Sequence, residues 1–229
     1  LTLFPAIGCA QVYPGAETDM SASIDNLHFL LRRLHSLLGL LPIGGFLVFH
    51  LWENSQSRLG AEHYNGVVVA SLQQMNYLPL LEIFVIALPL LFHAGYGLVI
   101  AAGAHPELRR YPFARNWLYW LQRASGVGIL LFLVVHVGLT RFWGLVEPAV
   151  RADLYGHMQG LLAQPWMFGF YALGLLLAVF HLANGLWAMG LVWGVTTSAR
   201  AQRLSGRACA ALGVLLAALG LHGLIGFLP

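Results

Sequence analysis

The chain has 229 residues, 59% hydrophobic and only 9% charged, with a mean hydropathy of +0.72. That balance excludes an ordinary soluble domain and points to an integral membrane protein. The formal net charge of +3 rests on arginine alone, since lysine is absent; it acts as a topology signal and gives no reason to expect nucleic acid as a partner.

In chain order, Leu1 to Asn26 comes first, broken by Pro5, Gly8, Pro14 and Gly15. It lacks the basic start and long apolar core of a signal peptide, and Ala6-Ile7-Gly8-Cys9 is only a faint lipoprotein cleavage pattern. The expectation is a cytoplasmic tail, 1–30, lying against a partner. Windows of about 19 residues then give five candidate spans: Leu34–Trp52, Asn76–Gly103, Trp117–Trp143, Trp166–Trp193 and Leu204–Leu228. Only short connections remain, with no room for a soluble catalytic domain. The fold class expected is therefore an all-α integral membrane protein, with residues 31–229 forming one five-helix bundle. Pro42 and Pro89 are expected to kink their spans. Cys9 and Cys209 are too few for an iron–sulfur cluster and have no metal-ligand spacing.

Arginine sets the orientation. Arg32, Arg33, Arg109, Arg110, Arg115, Arg123, Arg200, Arg203 and Arg207 flank one side of the spans, against Arg58, Arg141 and Arg151 on the other. The positive-inside rule puts the N-terminus in the cytoplasm and the C-terminus outside. Trp52, Tyr77, Trp143 and Trp166 then sit at the outer interface, and Trp117, Tyr119, Trp120 and Trp193 at the inner one.

Four of the ten histidines, His50, His93, His136 and His181, fall late in four successive spans. A bare imidazole in hydrocarbon needs a partner, and haem iron takes histidines from facing helices. His50 follows Arg33, and His93 follows Asn76, by about 17 residues, or roughly 25 Å of helix running in opposite directions; the offset from Gln164 to His181 is the same. Two levels result, with His93 beside His181 and His50 beside His136. Each pair suits a bis-histidine haem, and the cross-pairings join different depths. A single intramembrane histidine is more often a hydrogen-bond donor between helices; four, matched in depth by pairs, favour ligation. Copper and zinc would need a carboxylate, cysteine or methionine that the pairs lack. Gly44, Gly45, Gly95, Gly97, Gly126, Gly128 and Gly185 lie nearby and serve either haem clearance or plain helix packing.

The segments Arg32-Arg33-Leu34-His35-Ser36-Leu37-Leu38-Gly39, Leu91-Phe92-His93-Ala94-Gly95-Tyr96-Gly97, Arg115-Asn116-Trp117 with Leu121-Gln122-Arg123, and Phe180-His181-Leu182-Ala183-Asn184-Gly185-Leu186-Trp187 carry a resemblance. From about Leu31 to the C-terminus the chain resembles the di-haem cytochrome b membrane anchor of succinate dehydrogenases and fumarate reductases. The likeness is to the single five-helix type, as in Gram-positive succinate:menaquinone reductases. The resemblance implies a bundle holding two b haems, the proximal one on His93 and His181 and the distal one on His50 and His136. It implies a flavoprotein subunit with FAD and an iron–sulfur subunit as partners on the cytoplasmic face of a bacterial cytoplasmic membrane. It also implies electron transfer to a quinone, menaquinone by the likeness, within a complex free to form higher oligomers. No residue of this chain is expected to be catalytic, because the dicarboxylate chemistry belongs to the partners. Gly126-Val127-Gly128 lies inside a span with no strand before it and is no dinucleotide loop.

Weaker roles follow from chemistry. Haem propionates suit guanidinium, imidazole and hydroxyl donors near the membrane surface: Arg32, Arg33, His35, Ser36 and Arg123 on the inner side, and His222 or Arg141 on the outer. The related anchors tend to carry lysine near the His222 position. A quinone needs an apolar slot, carbonyl partners and a proton route; Trp52, Glu53, Asn76 and Glu82 are the candidates near the distal level. An acidic residue is common near Asn76 in the related anchors, so its replacement here leaves the proton donor open. His28, His63, His105 and His157 fall in tails or loops and receive no role. Two rival readings stay open at this point: the haem-b subunit of a hydrogenase or formate dehydrogenase, and a proton-coupled transporter, although no inverted repeat is visible.

Overall fold

In lipid, a backbone polar group without a partner costs several kcal/mol, so a chain this apolar can cross only as helices or as a closed barrel. The computed structural model takes the helical route. It describes residues 15–105 and 107–229, with side chains from residue 25 onward, and no strand occurs among the described residues. Among the described residues, five helical stretches are long and apolar enough to cross a membrane: Asp25–Leu59, Leu78–Ala102, Ala114–Val146, Pro165–Val192 and Ala199–Gly226. These are spans one to five. The chain divides into two compact units, 1–34 and 35–229.

The described part of the expected tail is itself helical, since the first helix is Gly15–Leu38. Residues 1–14, including Cys9, lie outside the described residues. Spans one, two and three each contain a π-helical turn, at Gly39–Gly44, Glu82–Ala87 and Gly138–Phe142. Pro42 sits inside the first and Pro89 two residues past the second, where the wider π ladder accommodates each missing N–H without ending the span. Spans four and five are unbroken. Pro165 opens span four, and the Ser198 hydroxyl caps span five by accepting from the Ala201 amide at 3.1 Å.

Within the larger unit, span four packs against spans three and five and against the π turn of span one; span five also packs against span one, and span two against span three. Large apolar side chains such as Leu91, Leu131, Val134 and Val214 face outward, as a lipid-solvated surface requires.

The connections hold more structure than their brevity in sequence announces. At one end of the bundle, Tyr64, Val68 and Val69 from the span one–two connection and Met158 and Leu162 from the helix Leu154–Leu162 close over Met167, Tyr171, Leu224 and Phe227. This is the larger buried cluster among the described residues. Leu162 is 1% exposed and Phe227 2%, and burying such a side chain contributes about 1.5–3 kcal/mol where the alternative is water. Ser57 Oγ donates to the Gly223 carbonyl at 2.7 Å and Tyr155 Oη to the Gly226 carbonyl at 2.9 Å, fastening the end of span one and the span three–four connection to the end of span five. At the opposite, arginine-rich end, Trp187 Nε1 donates to the Gln202 carbonyl and Arg115 to Gln202 Oε1, both at 3.0 Å.

Candidate functional site

Each of the four histidines stands on a different span, and the rings meet in two pairs. The His93 and His181 ring centroids are 6.1 Å apart with the planes at 86°, and those of His50 and His136 are 5.9 Å apart at 72°. A bond of about 2 Å from each imidazole nitrogen to a shared iron, plus about 1 Å from nitrogen to ring centre, puts two axial ligands about 6 Å apart. Both pairs meet that condition. No group of three or more histidine, cysteine or acidic side chains that could hold a metal occurs among the described residues.

The His93–His181 pair lies toward the arginine-rich end and is held by hydrogen bonds. His93 Nδ1 donates to the His35 carbonyl at 2.9 Å, and the His35 ring stacks on the His93 ring, with centroids 4.0 Å apart and planes at 9°. His181 Nδ1 lies 3.1 Å from Ser125 Oγ, and Ser125 is 2% exposed. Gln122 Nε2 donates to the His181 carbonyl at 3.0 Å, and its Oε1 accepts from Asn184 Nδ2 at 2.7 Å, which joins span three to span four. Glycine makes the room: a Cβ on Gly39 would collide with the His93 ring, and one on Gly126 would stand 3.0 Å from His181 Cε1.

The His50–His136 pair lies toward the capped end and is held by aromatic rings. Phe46 stacks near His50 and Phe132 near His136, each with centroids 5.3 Å apart, and Tyr171 meets His136 edge-on at 5.5 Å. A Cβ on Gly174 would collide with Phe132. The buried His136 Nδ1 has no hydrogen-bond partner among the described residues, an arrangement that costs about 1–3 kcal/mol unless another interaction holds the ring. Asn54 Nδ2 donates to the His50 carbonyl at 2.8 Å, and Asn54 Oδ1 accepts from Tyr64 Oη at 3.1 Å. Burial, and then the charge of Glu53, push the Tyr64 phenol above the ordinary tyrosine range, so it remains a donor.

Residues 103–221 match the family described as the succinate dehydrogenase/fumarate reductase transmembrane subunit. The chain is also 40% identical over 205 residues to the succinate dehydrogenase cytochrome b558 subunit of Bacillus subtilis (strain 168), covering 88% of this chain and 98% of that protein. The chain belongs to the succinate dehydrogenase/fumarate reductase transmembrane subunit family.

As a member of that family, the chain places its other expected site residues unevenly. His35 and Arg123 lie at the His93–His181 end. Arg123 stands over the Tyr119 ring at 3.3 Å and donates to the Tyr119 carbonyl at 2.7 Å. It also walls a cavity of about 230 Å³ with Ala101, Ala104, Trp120, Ala124 and Val127. Ser36 Oγ accepts from Trp193 Nε1 at 3.0 Å. In the N-terminal unit, the Arg33 guanidinium lies 5.0 Å from the Phe29 ring centroid, and Arg32 shares a shallow groove with Asp25, His28 and Phe29.

At the opposite end the remaining named residues meet other partners or solvent. Arg141 and Glu82 form a two-pronged ion pair at 2.7 and 2.8 Å, so the guanidinium expected near a propionate and the carboxylate expected near a quinone hold each other. Trp52 is 54% exposed, Asn76 and His222 are exposed, and no hydrogen bond joins Trp52, Asn76 and Glu82 among the described residues. Glu53 is buried at 8% exposure. His157, given the solvated default by its place in a loop, is half-buried, with Nε2 donating to the Leu139 carbonyl at 2.8 Å. Of the glycines named for clearance, Gly97 and Gly126 meet His35 and His181, and Gly185 meets Gln122. Gly44 and Gly128 meet Leu182 and Leu177, while Gly45 and Gly95 face open space.

Sequence reasoning assigned no role to Ser125, Gln122, Asn184, Gly39 or Phe132. Gln122 and Asn184 carried a usable signal, since uncharged polar side chains inside apolar spans are costly unless paired across helices. Ser125 carried the same signal more weakly, and Phe132 carried none.

Proposed function

We propose that the chain is the di-haem membrane anchor of a succinate:quinone oxidoreductase, with His93 and His181 as axial ligands of the proximal haem and His50 and His136 of the distal one. The supporting observation is the pair of imidazole meetings, 6.1 and 5.9 Å between centroids, on four different spans. When bound, the two haems b supply one-electron carriers between an iron–sulfur subunit and a quinone.

The chain's own residues do the rest. The histidines set ligand field and depth, and the lipid-facing spans keep water from the rings. His35 and Arg123, with Ser36 and the Arg32–Arg33 pair, supply donors suited to propionates at the arginine-rich end. By the positive-inside rule that end is cytoplasmic, with the N-terminus inside and the C-terminus outside a bacterial cytoplasmic membrane. The FAD-bearing flavoprotein and the iron–sulfur subunit dock there, and residues 1–30 form the tail toward them. Residues 31–229 form the haem-carrying domain.

The quinone, menaquinone by likeness to the five-helix type, is taken near His50, with Trp52, Asn76 and Glu82 as the polar groups of that level and His222 as the basic group beyond it. Because Glu82 is engaged by Arg141, the buried Glu53 is the better placed carboxyl of the set. If protons reach that level from outside, turnover works with or against the membrane potential, at about 2.3 kcal/mol per charge per 100 mV.

The deciding experiment is haem content and a reduced-minus-oxidised spectrum of the purified complex. Two haems b per anchor are expected, with His93→Ala and His136→Ala each removing a different one. One haem per chain, or loss of the same haem in both variants, would sink the assignment. For the transmembrane electron path, unchanged succinate-to-quinone rates after collapse of the potential in closed vesicles would do the same.

A further inference from the structure

The two histidine pairs differ in what meets their Nδ1 ring nitrogens. A carbonyl can only accept, so the 2.9 Å contact between His93 Nδ1 and the His35 carbonyl requires the proton of His93 to sit on Nδ1. That leaves Nε2 bare. At His181 the same result comes through a hydroxyl. Ser125 Oγ donates its single hydrogen to the Gln122 carbonyl at 3.0 Å, which leaves its lone pairs to accept from His181 Nδ1 at 3.1 Å. Gln122 also ties the His181 carbonyl to span three, so the serine and the histidine are held by one glutamine.

The other pair has no such acceptor among the described residues. His136 Nδ1 is buried and unpartnered. Beside the His50 ring stands Asn54 Nδ2, 3.3 and 3.4 Å from the two ring nitrogens. Its 2.8 Å bond to the His50 carbonyl identifies that atom as the amide nitrogen, a donor, which cannot take a ring proton.

We propose that Ser125 is a positioning residue that selects the Nδ1–H tautomer of His181 and, with the His35 carbonyl on His93, makes this pair of imidazoles more electron-rich ligands than His50 and His136. The proposal rests on haem ligation by the two pairs. A ring N–H that donates to an oxygen acceptor passes electron density to the opposite nitrogen, which favours the ferric state of a bound haem. Removing the acceptor should therefore raise that haem's midpoint potential and leave the other untouched. The hydroxyl acts through the histidine and touches neither iron nor quinone.

The test is a redox titration of the haem bands in the assembled membrane complex, comparing wild type with Ser125→Ala, Ser125→Thr and Ser125→Val. Ser125→Ala is expected to keep two haems and to raise only the midpoint of the haem that disappears in His181→Ala. Ser125→Thr, which keeps the hydroxyl, should return it to the wild-type value. Two unchanged midpoints in Ser125→Ala, or equal shifts at both haems, would overturn the proposal. Should Ser125→Ala lose the haem altogether, the near-isosteric pair decides: retention in Thr with loss or an upward shift in Val supports it, and identical behaviour of Thr and Val refutes it. A wild-type complex without two haems, or His181→Ala with both, would instead refute haem ligation itself.

Discussion

The two histidine sites have nearly the same ring separation and almost opposite surroundings. At His93–His181 each ring is fastened by a hydrogen bond, to the His35 carbonyl and the Ser125 hydroxyl, and crowded by Gly39 and Gly126. At His50–His136 the rings sit among Phe46, Phe132 and Tyr171, and a buried nitrogen is left unpaired. One site is oriented by polar bonds and the other by packing. Hydrogen bonds aim a ring along one direction, whereas stacked aromatics fix its plane and leave its basicity alone. Under the proposed haem ligation, that contrast gives the two pairs different electronic character.

The comparison breaks most severely if the ligands themselves are exchanged. His181→Ala should abolish one haem and His50→Ala the other, halving haem content in each case by optical assay; a variant that keeps both haems would end the two-site picture.

Next come the glycines that make room for each site. Gly39→Val should drive a side chain into the His93 ring and deplete that haem selectively, and Gly174→Val should displace Phe132 and deplete the haem at His136. Spectra in which both haems fall together in either variant would mean that the sites are not independently built.

Smaller effects concern the capped end. Arg141→Gln breaks a partly exposed ion pair with Glu82 and should lower stability by up to about 1 kcal/mol in thermal unfolding, leaving both haem midpoints in place. A moved midpoint would return Arg141 to a propionate. Tyr64→Phe removes the phenol that donates to Asn54, four residues past His50, and should cost about 1 kcal/mol without loss of haem. Denaturation curves of the two proteins that superimpose would show that this bond contributes nothing.

Much of the architecture was legible in the chain. Runs such as Ile83 to Ile100 are too apolar for water and too long for a buried strand, and the arginines mark one set of span ends. The histidine positions were legible as well, because an imidazole in such a run stands out against its neighbours. The capped end was not. Tyr64, Val68, Met158 and Leu162 are unremarkable in connections, and become a core only when the two connections meet over Phe227. The Arg141–Glu82 pair was hidden for the same reason, since 59 residues separate its partners.

The sequence by itself determined the five apolar stretches, the asymmetry of charge and the place of each of the four histidines along its stretch, because these depend on hydropathy and a fixed rise of about 1.5 Å per residue. Tertiary structure alone decided what each imidazole meets. His35 reaches His93 across 58 residues and Ser125 reaches His181 across 56, and such contacts depend on helix rotation and π turns that hydropathy does not record. Depth follows from composition along one helix, but orientation follows from the neighbouring helices, and a ring's chemistry at a given depth is set by orientation.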